Sequence, residues 1–255
     1  MSRFSCCIVT YNSADNIERA LQSIFSVTEK LDFTMYISDN NSTDNTVDIV
    51  KEKFPQAVII ENGGNKGFGH GHNAVIPLLD SEYHFIVNPD IVVDKDVFSL
   101  FADYFDSNED VVMAVPKFLY EDGSEQFTPK LTPTLKYMLG GRLEKFGNPF
   151  KKWRDEYTFR NKNVTEPCEV GFCSGRFICI RTEIFKKIGG VDERYFLYSE
   201  DADLTREAKY YGKTMYNPNI SVTHLWERAY MKSGKYFLIQ LKSMFKYFHK
   251  WSRRK

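Results

Sequence analysis

A mostly parallel, doubly wound α/β sheet is the fold class this 255-residue sequence predicts, and three observations predict it. Short apolar runs alternate with segments of helical periodicity through the first hundred residues. Within one run, Phe85-Ile86-Val87 lacks polar alternation, as in a strand buried on both faces. That strand must stop at Asn88-Pro89-Asp90, because proline has no N–H for the sheet ladder. Finally, four of the runs end in acids, asparagines or glycines, which a parallel sheet collects along one carboxyl edge.

The elements follow in order. FSCCIVTY is the first strand, and Ser13 to Phe25 carries Ile17, Ala20, Leu21, Ile24 and Phe25 on one helical face, with Asn12 or Ser13 as cap. TMYIS is the second strand, Ser42-Thr43-Asp44 starts a helix through Lys53, and AVIIEN is the third strand. Gly71 to Leu79 reads as a helix, YHFIV as the fourth strand, Asp96 to Phe105 as a helix and VVMAVPKFLY as a strand. From Glu121 to Pro167 the chain is loop-rich, polar and aromatic, with no catalytic signature; a long loop in a compact domain is more often functional than idle. No repeat or low-complexity linker interrupts the chain, so one domain is the simpler expectation.

Composition narrows the class. A 42% hydrophobic content supports a substantial core, and no run approaches the roughly 20 apolar residues of a membrane-spanning helix. The N-terminal region does not resemble a signal peptide, so a cytoplasmic location is expected. Five cysteines without a CxxC pair point to small core residues, not to disulfides or structural zinc. Net charge is zero, yet nine Lys or Arg and no acid lie between Arg228 and Lys255, which leaves the rest of the chain nine negative. That asymmetry suits an anionic partner at the C-terminal end and argues against a nucleic-acid-binding surface over the whole protein.

The strand ends carry the chemistry. Thr10-Tyr11-Asn12, Asp39 to Asp44, Asn62 to Gly69 and Asn88-Pro89-Asp90 would share one rim. Acids there can accept from a ribose or base, and glycines let backbone amides approach phosphates. Each piece also has a plain structural reading: Asp39 ends a strand, Ser42 and Thr43 cap a helix, the glycines turn, and Asn88-Pro89-Asp90 is a tight turn.

Taken together, IVTYN, ISDNNSTDNT, NKGFGHGHN, VNPD and GGVDERYFLYSEDADLTREAKYYG resemble the family 2 glycosyltransferases from Ser5 to about His224. The resemblance implies a GT-A (Rossmann-like) fold over residues 1–226, with a nucleotide-sugar half (1–120), an acceptor and catalytic half (121–226), and a basic amphipathic helical extension (227–255). It places Thr10, Tyr11, Asn12, Asp39, Asn41, Lys66, Gly67, Asn88 and Asp90 at the donor. Asp90 and His224 would hold Mg2+ or Mn2+; Asn88, where the family has the first acid of Asp-x-Asp, would be a weaker, neutral ligand. Asp201 would be the catalytic base, with Glu200, Arg176 and Trp226 on the acceptor side. Structural alternatives stand beside these roles: Glu200 to Asp203 as an acidic helix N-terminus, with Asp203 the best candidate, and His224 as a buried structural histidine.

The implied activity is inverting, non-processive transfer of one sugar from a nucleotide-sugar, with dTDP-L-rhamnose favoured over a UDP-hexose. The acceptor would be a saccharide or a polyprenyl-diphosphate-linked sugar, in bacterial surface polysaccharide synthesis. An inactive sugar-nucleotide-binding protein is the first rival, and a nucleotidyltransferase the second. In the tail, Phe237, Leu241, Met244, Phe245, Phe248 and Trp251 recur at helical spacing beside Lys235, Lys242, Lys246 and Lys250. Such a helix either docks peripherally on the inner face of the cytoplasmic membrane, packs on the domain, or does both.

Overall fold

The computed structural model describes residues 2–126, 129–225 and 234–254. The first half is built as expected. β1 (Ser2–Thr10) pairs in parallel with β2 (Phe33–Asp39) and β4 (Ser81–Val87), and β3 (Val58–Glu61) pairs in parallel with β2. Helices α1 (Ala14–Thr28) and α2 (Thr46–Lys53) supply the crossovers. The second start falls later than Ser42, because Ser42 turns its hydroxyl to Asp39 while Asp44 accepts from the Thr46 amide. A further shift affects the helix expected over Gly71–Leu79: α3 spans Phe68–Asn73, and Ile76–Leu78 forms a separate 3-10 turn at Pro77. Gly67 sets this earlier start with φ +105°, a region open to glycine and closed to most side chains.

Beyond β4 lie β5 (Ile91–Val92), α4 (Val97–Asp106), β6 (Val111–Leu119) and β7 (Glu125–Gln126). The stretch expected to be loop-rich folds into α5 (Leu135–Leu143) and α6 (Phe150–Tyr157); α5 has no distinct apolar face, and α6 is a short, strongly polar segment. Next come β8 (Cys168–Glu169), β9 (Phe177–Arg181), α7 (Thr182–Ile188), α8 (Glu200–Ala208), β10 (Lys213–His224) and α9 (Gly234–Arg253). Strand order is β3-β2-β1-β4-β9-β6-β10-β5; β9 enters antiparallel, while β10 runs parallel to β6. The β6–β10 register slips after Asn217, whose partner is Pro116, a residue with no N–H to keep the ladder regular.

Phe85 on β4 and Phe177 on β9 pack against Phe98 and Phe101 of α4, centring the core beneath β4 and β9. The cysteines are free thiols, four of them buried. A second, smaller cluster joins Tyr195 and Ala202 to Tyr247 and Trp251 of α9. The C-terminal helix therefore packs on the domain. Its expected apolar stripe is split: Trp251 faces inward, whereas Phe237 and Phe245 are exposed. Lys250, expected among the solvated charges, is buried because Asp192, Asp203 and Glu207 draw it in. Among the described residues, no helix is long and apolar enough to cross a membrane.

Candidate active site

Asp39, at the end of β2, is buried, and its carboxylate is held from two sides. Thr10 Oγ1 and Ser42 Oγ donate to Oδ1 at 2.7 and 2.6 Å, and the Ser42 amide donates to Oδ2 at 2.8 Å. Asn12 and Asn41 both have positive φ, which asparagine tolerates better than most residues. Asn12 ties the first two loops together, accepting from the Thr43 amide at 2.8 Å and donating its own amide to Ser42 Oγ at 2.9 Å. Tyr11 stands half exposed at this rim. Sequence reasoning missed Asn40, which is buried and donates through Nδ2 to Gly67 O at 3.1 Å. The glycine loop is thereby fastened to the Asp39 turn, with Lys66 exposed beside it. On its other side Phe68 N donates to Phe196 O at 3.1 Å; a Cβ at Gly67 would lie 2.3 Å from that oxygen.

The second group forms where β5 meets β10. Pairing of Ile91 with His224 brings His224 Nε2 within 3.2 Å of Asp90 Oδ2. Asn88 accepts no part of that contact through its backbone: its N–H donates to Arg176 O at 2.9 Å. Gln126 Oε1 accepts from Arg176 Nη1 at 2.5 Å and lies 3.1 Å from His224 Nδ1. With Nδ1 donating to Gln126, the Nε2 lone pair and the Asp90 carboxylate face each other, a donor pair that a cation can share. Asp90 Oδ1 is also buried without a hydrogen-bond partner among the described residues. This set fits a divalent ion held by one carboxylate and one imidazole, with its remaining positions left to substrate oxygens and water. Among the described residues, no group of three or more His, Cys, Asp or Glu is placed to hold a metal ion by itself.

Arg176 links this pair to the third group. Burial lowers its pKa to about 10, against the opposing charges of Asp90 and Asp201, and its guanidinium lies over the Phe118 ring at 4.1 Å. One residue earlier, the Gly175 amide donates to Asp201 Oδ2 at 3.1 Å, while the Ala202 amide donates to Oδ1 at 2.9 Å. A Cβ at Gly175 would sit 3.4 Å from Asp201 Cβ and 3.2 Å from the Phe68 ring, so the backbone approaches Asp201 closely there. Tyr198 and Ser199 both have φ near +70°, a conformation costly for side-chain-bearing residues, and they present Glu200 and Asp201 at the start of α8. Burial raises the Asp201 carboxyl; for Glu200, burial and then Asp201 raise it well above the usual range. Asp203, in contrast, turns away to α9, where Lys250 Nζ and Trp251 Nε1 donate to it at 2.6 and 2.8 Å.

A cavity of about 550 Å³ opens beside Asp201. Its walls come from α8, from α9 through Gln240, Met244, Tyr247 and Phe248, and from the 130–157 stretch. Sequence reasoning placed that last wall in the acceptor half but named no residue in it, although its cations alternate with aromatics, the one signal that could have marked them. Trp226, expected on the acceptor side, lies outside the described residues.

Comparison with known proteins places the fold in a family. A family model described as Glycosyl transferase family 2 matches residues 5–189. N-acetylglucosaminyl-diphospho-decaprenol L-rhamnosyltransferase of Mycobacterium tuberculosis (strain ATCC 25618 / H37Rv) is 28% identical over 230 residues, 85% of this chain and 74% of that protein. Rhamnosyltransferase WbbL of Escherichia coli (strain K12) is 26% identical over 203 residues, 73% of this chain and 71% of that protein. Among solved structures, mannosyltransferase PcManGT from Pyrobaculum calidifontis, in complex with GDP-Man and Mn2+, matches with TM-score 0.66 at 16% identity. That match covers 100% of this chain and 65% of the other, so this chain spans less than two thirds of that structure; the likeness speaks for the GT-A fold. With well over half of its length matched by the family model, the chain belongs to glycosyl transferase family 2: it is a glycosyltransferase resembling the bacterial rhamnosyltransferases.

Proposed function

We propose that this enzyme transfers one sugar, with inversion, from a nucleotide-sugar to a lipid-linked saccharide in bacterial surface polysaccharide synthesis. dTDP-L-rhamnose is the favoured donor and a UDP-hexose the alternative. One observation carries the reading: the Ser174-Gly175-Arg176 segment joins the Asp90–His224 rim to the cavity beside Asp201, with the Gly175 amide on Asp201 and Arg176 against the Asp90–His224 pair. The printed names of the two rhamnosyltransferase relatives support the choice of donor, and that of the mycobacterial relative supports a polyprenyl-diphosphate acceptor.

In this reading the nucleoside lies along Thr10, Tyr11, Asn12, Asp39 and Asn41, and the diphosphate lies near Lys66, Gly67 and Asn88. Asp90 and His224 would hold Mg2+ or Mn2+, which supplies positive charge to the departing diphosphate. Asp201 accepts the proton from the acceptor hydroxyl as oxygen attacks the anomeric carbon. A carboxylate suffices, because that proton becomes acidic only as the carbon–oxygen bond forms. Its two amide donors fix its orientation, and a single displacement inverts the anomeric centre.

The direct test supplies dTDP-L-rhamnose, UDP-glucose, UDP-galactose or UDP-N-acetylglucosamine, each with Mg2+ or Mn2+, and polyprenyl-diphosphate-linked N-acetylglucosamine. Addition of one sugar with the configuration opposite to the donor's is expected from dTDP-L-rhamnose. Retained configuration or repeated addition would overturn the mechanism, and donor binding with no transfer to any acceptor would favour an inactive binding protein.

The cytoplasmic membrane face is the proposed location. Phe237, Leu238 and Phe245 are exposed on α9 near Lys242 and Lys246, a combination suited to anionic headgroups, with about 1 kcal/mol from each cation near the surface. Replacing Leu238 and Phe245 together by Ser should leave the melting temperature unchanged and lower co-sedimentation with anionic liposomes severalfold. Unchanged sedimentation would remove α9 as the contact.

A further inference from the structure

The cavity beside Asp201 carries opposite charges on different walls. Glu200 and Asp201 of α8 line it, and so do Lys130, Arg142 of α5 and Arg154 of α6. Lys130 is held in place by its backbone, which pairs with Phe172, and its Nζ lies over the Phe172 ring at 4.6 Å. Among the described residues its ammonium forms no ion pair. Burial, then Arg176, lowers its pKa to about 7, with Asp201 opposing and Arg154 adding to the fall. Burial likewise lowers the pKa of Arg154, whose nearest acid, Glu144, stays 4.0 Å away. Cations that face one cavity repel one another, and a bound anion would relieve that repulsion.

A pair of half-buried cations lining the same cavity as the Asp201 carboxylate suits a ligand with both a hydroxyl and an anionic group. We propose that Lys130 and Arg154 bind a phosphoryl group of the acceptor, so that its sugar hydroxyl reaches Asp201 while its anomeric phosphate or diphosphate meets the two cations. The aromatic walls Tyr137, Tyr157 and Phe172 then flank the sugar, and Arg142, stacked on Phe237 at 4.4 Å, marks the seam between α5 and α9. This assignment rests on reading Asp201 as the base of glycosyl transfer. It differs from the donor's diphosphate site, which belongs to the Asp90–His224 rim.

Lys130 also makes binding sensitive to pH. The charged or titratable groups around it are Glu200 and Asp201 of α8, Arg154 and Tyr157 of α6, Arg176 ahead of β9 and Tyr247 of α9. Of these, Lys130 is the cation brought into the neutral range, so anion affinity should fall as pH rises through about 7.

The test uses the full chain and calorimetry with geranyl diphosphate, geraniol, inorganic pyrophosphate and dTDP as probes. Geranyl diphosphate should bind at least tenfold more tightly than geraniol, and Lys130→Gln or Arg154→Gln should each weaken it tenfold or more. Lys130→Arg should keep the affinity and abolish its pH dependence; Asp90→Asn should weaken dTDP and spare geranyl diphosphate. Normal affinity in both glutamine variants, or loss in Asp90→Asn alone, would overturn the assignment. Equal affinity for inorganic pyrophosphate would do the same, by reassigning the cations to a free anion. Transfer to the diphosphate-linked acceptor with unchanged KM in Lys130→Gln would also sink this site and leave glycosyl transfer standing. Lys130-dependent binding in a protein that transfers no sugar would support the site and sink the transfer reading.

Discussion

Asp201→Asn should lower kcat for sugar transfer about a hundred- to ten-thousandfold while leaving the donor Kd unchanged. Asparagine has nearly the same shape, and its single carbonyl oxygen can still accept from one of the Gly175 and Ala202 amides, which bond different oxygens of the native carboxylate, so the start of α8 should keep one of its two ties. What it lacks is a basic oxygen to receive the acceptor proton. The native pH profile should carry the same signature. Burial raises the Asp201 pKa, and Glu200 beside it is raised further, so the adjacent carboxyls compete for ionisation. Catalysis needs the ionised base; kcat/KM should therefore rise with pH along an acid limb whose midpoint lies above the ordinary aspartate value. That limb belongs to the pair, and it should vanish in Asp201→Asn. Near-native turnover in the variant, measured with donor binding followed by calorimetry, would remove Asp201 as the base.

Much of this site was legible because parallel strands force their ends together. The apolar run before Asn88-Pro89-Asp90 and the acids ending the second strand lead directly to β4 and β2, whose register with β1 puts Thr10 beside Asp39. The ten residues from Gly190 to Ser199 were harder to interpret. Their contribution is backbone geometry: Phe196 O receives the Phe68 amide and excludes any side chain at Gly67, while Tyr198 and Ser199 take left-handed conformations. No side-chain pattern encodes such contacts. The 121–167 stretch failed for a different reason. Its helices are short and carry apolar, aromatic and basic residues on several faces, because one face lines a polar cavity and cannot be uniformly apolar. Gln126 is equally silent in sequence, since its meaning comes from Arg176 and His224, 50 and 98 residues away.

Lys250→Met should destabilise the protein by about 3–5 kcal/mol, the usual cost of removing one partner from a buried ion pair. At about 2–4 °C per kcal/mol for a chain of this size, the melting temperature should drop by roughly 10 °C. Methionine keeps the length and packing of the lysine stem, so the loss isolates the charge. Asp203 would keep its bonds from Tyr195 Oη and Trp251 Nε1 but lose the ammonium at 2.6 Å. The pH dependence has a definite sign. Burial opposes the Lys250 charge, yet bonds to Asp203, Glu207 and Asp192 outweigh it and raise the folded pKa. Its stabilisation is then complete below the unfolded lysine pKa of about 10.4 and is lost as pH rises through the raised folded value. The gap between native protein and variant should therefore persist through neutral pH and close only in strong alkali. Adding Asp203→Asn to Lys250→Met should restore most of the lost stability, because a neutral pair leaves no uncompensated buried charge. A single variant within about 0.5 kcal/mol of the native protein would show that the pair contributes little. The anchor also bears on how the tail can be studied. Deleting it before Lys232 strips the cover from Asp203 and removes the α9 wall of the cavity, so a truncated chain would lose stability and acceptor binding together. The proposed membrane attachment is separable from that loss only through residues on the outer face of α9, such as Leu238 and Phe245, which leave the Lys250–Asp203 contact in place.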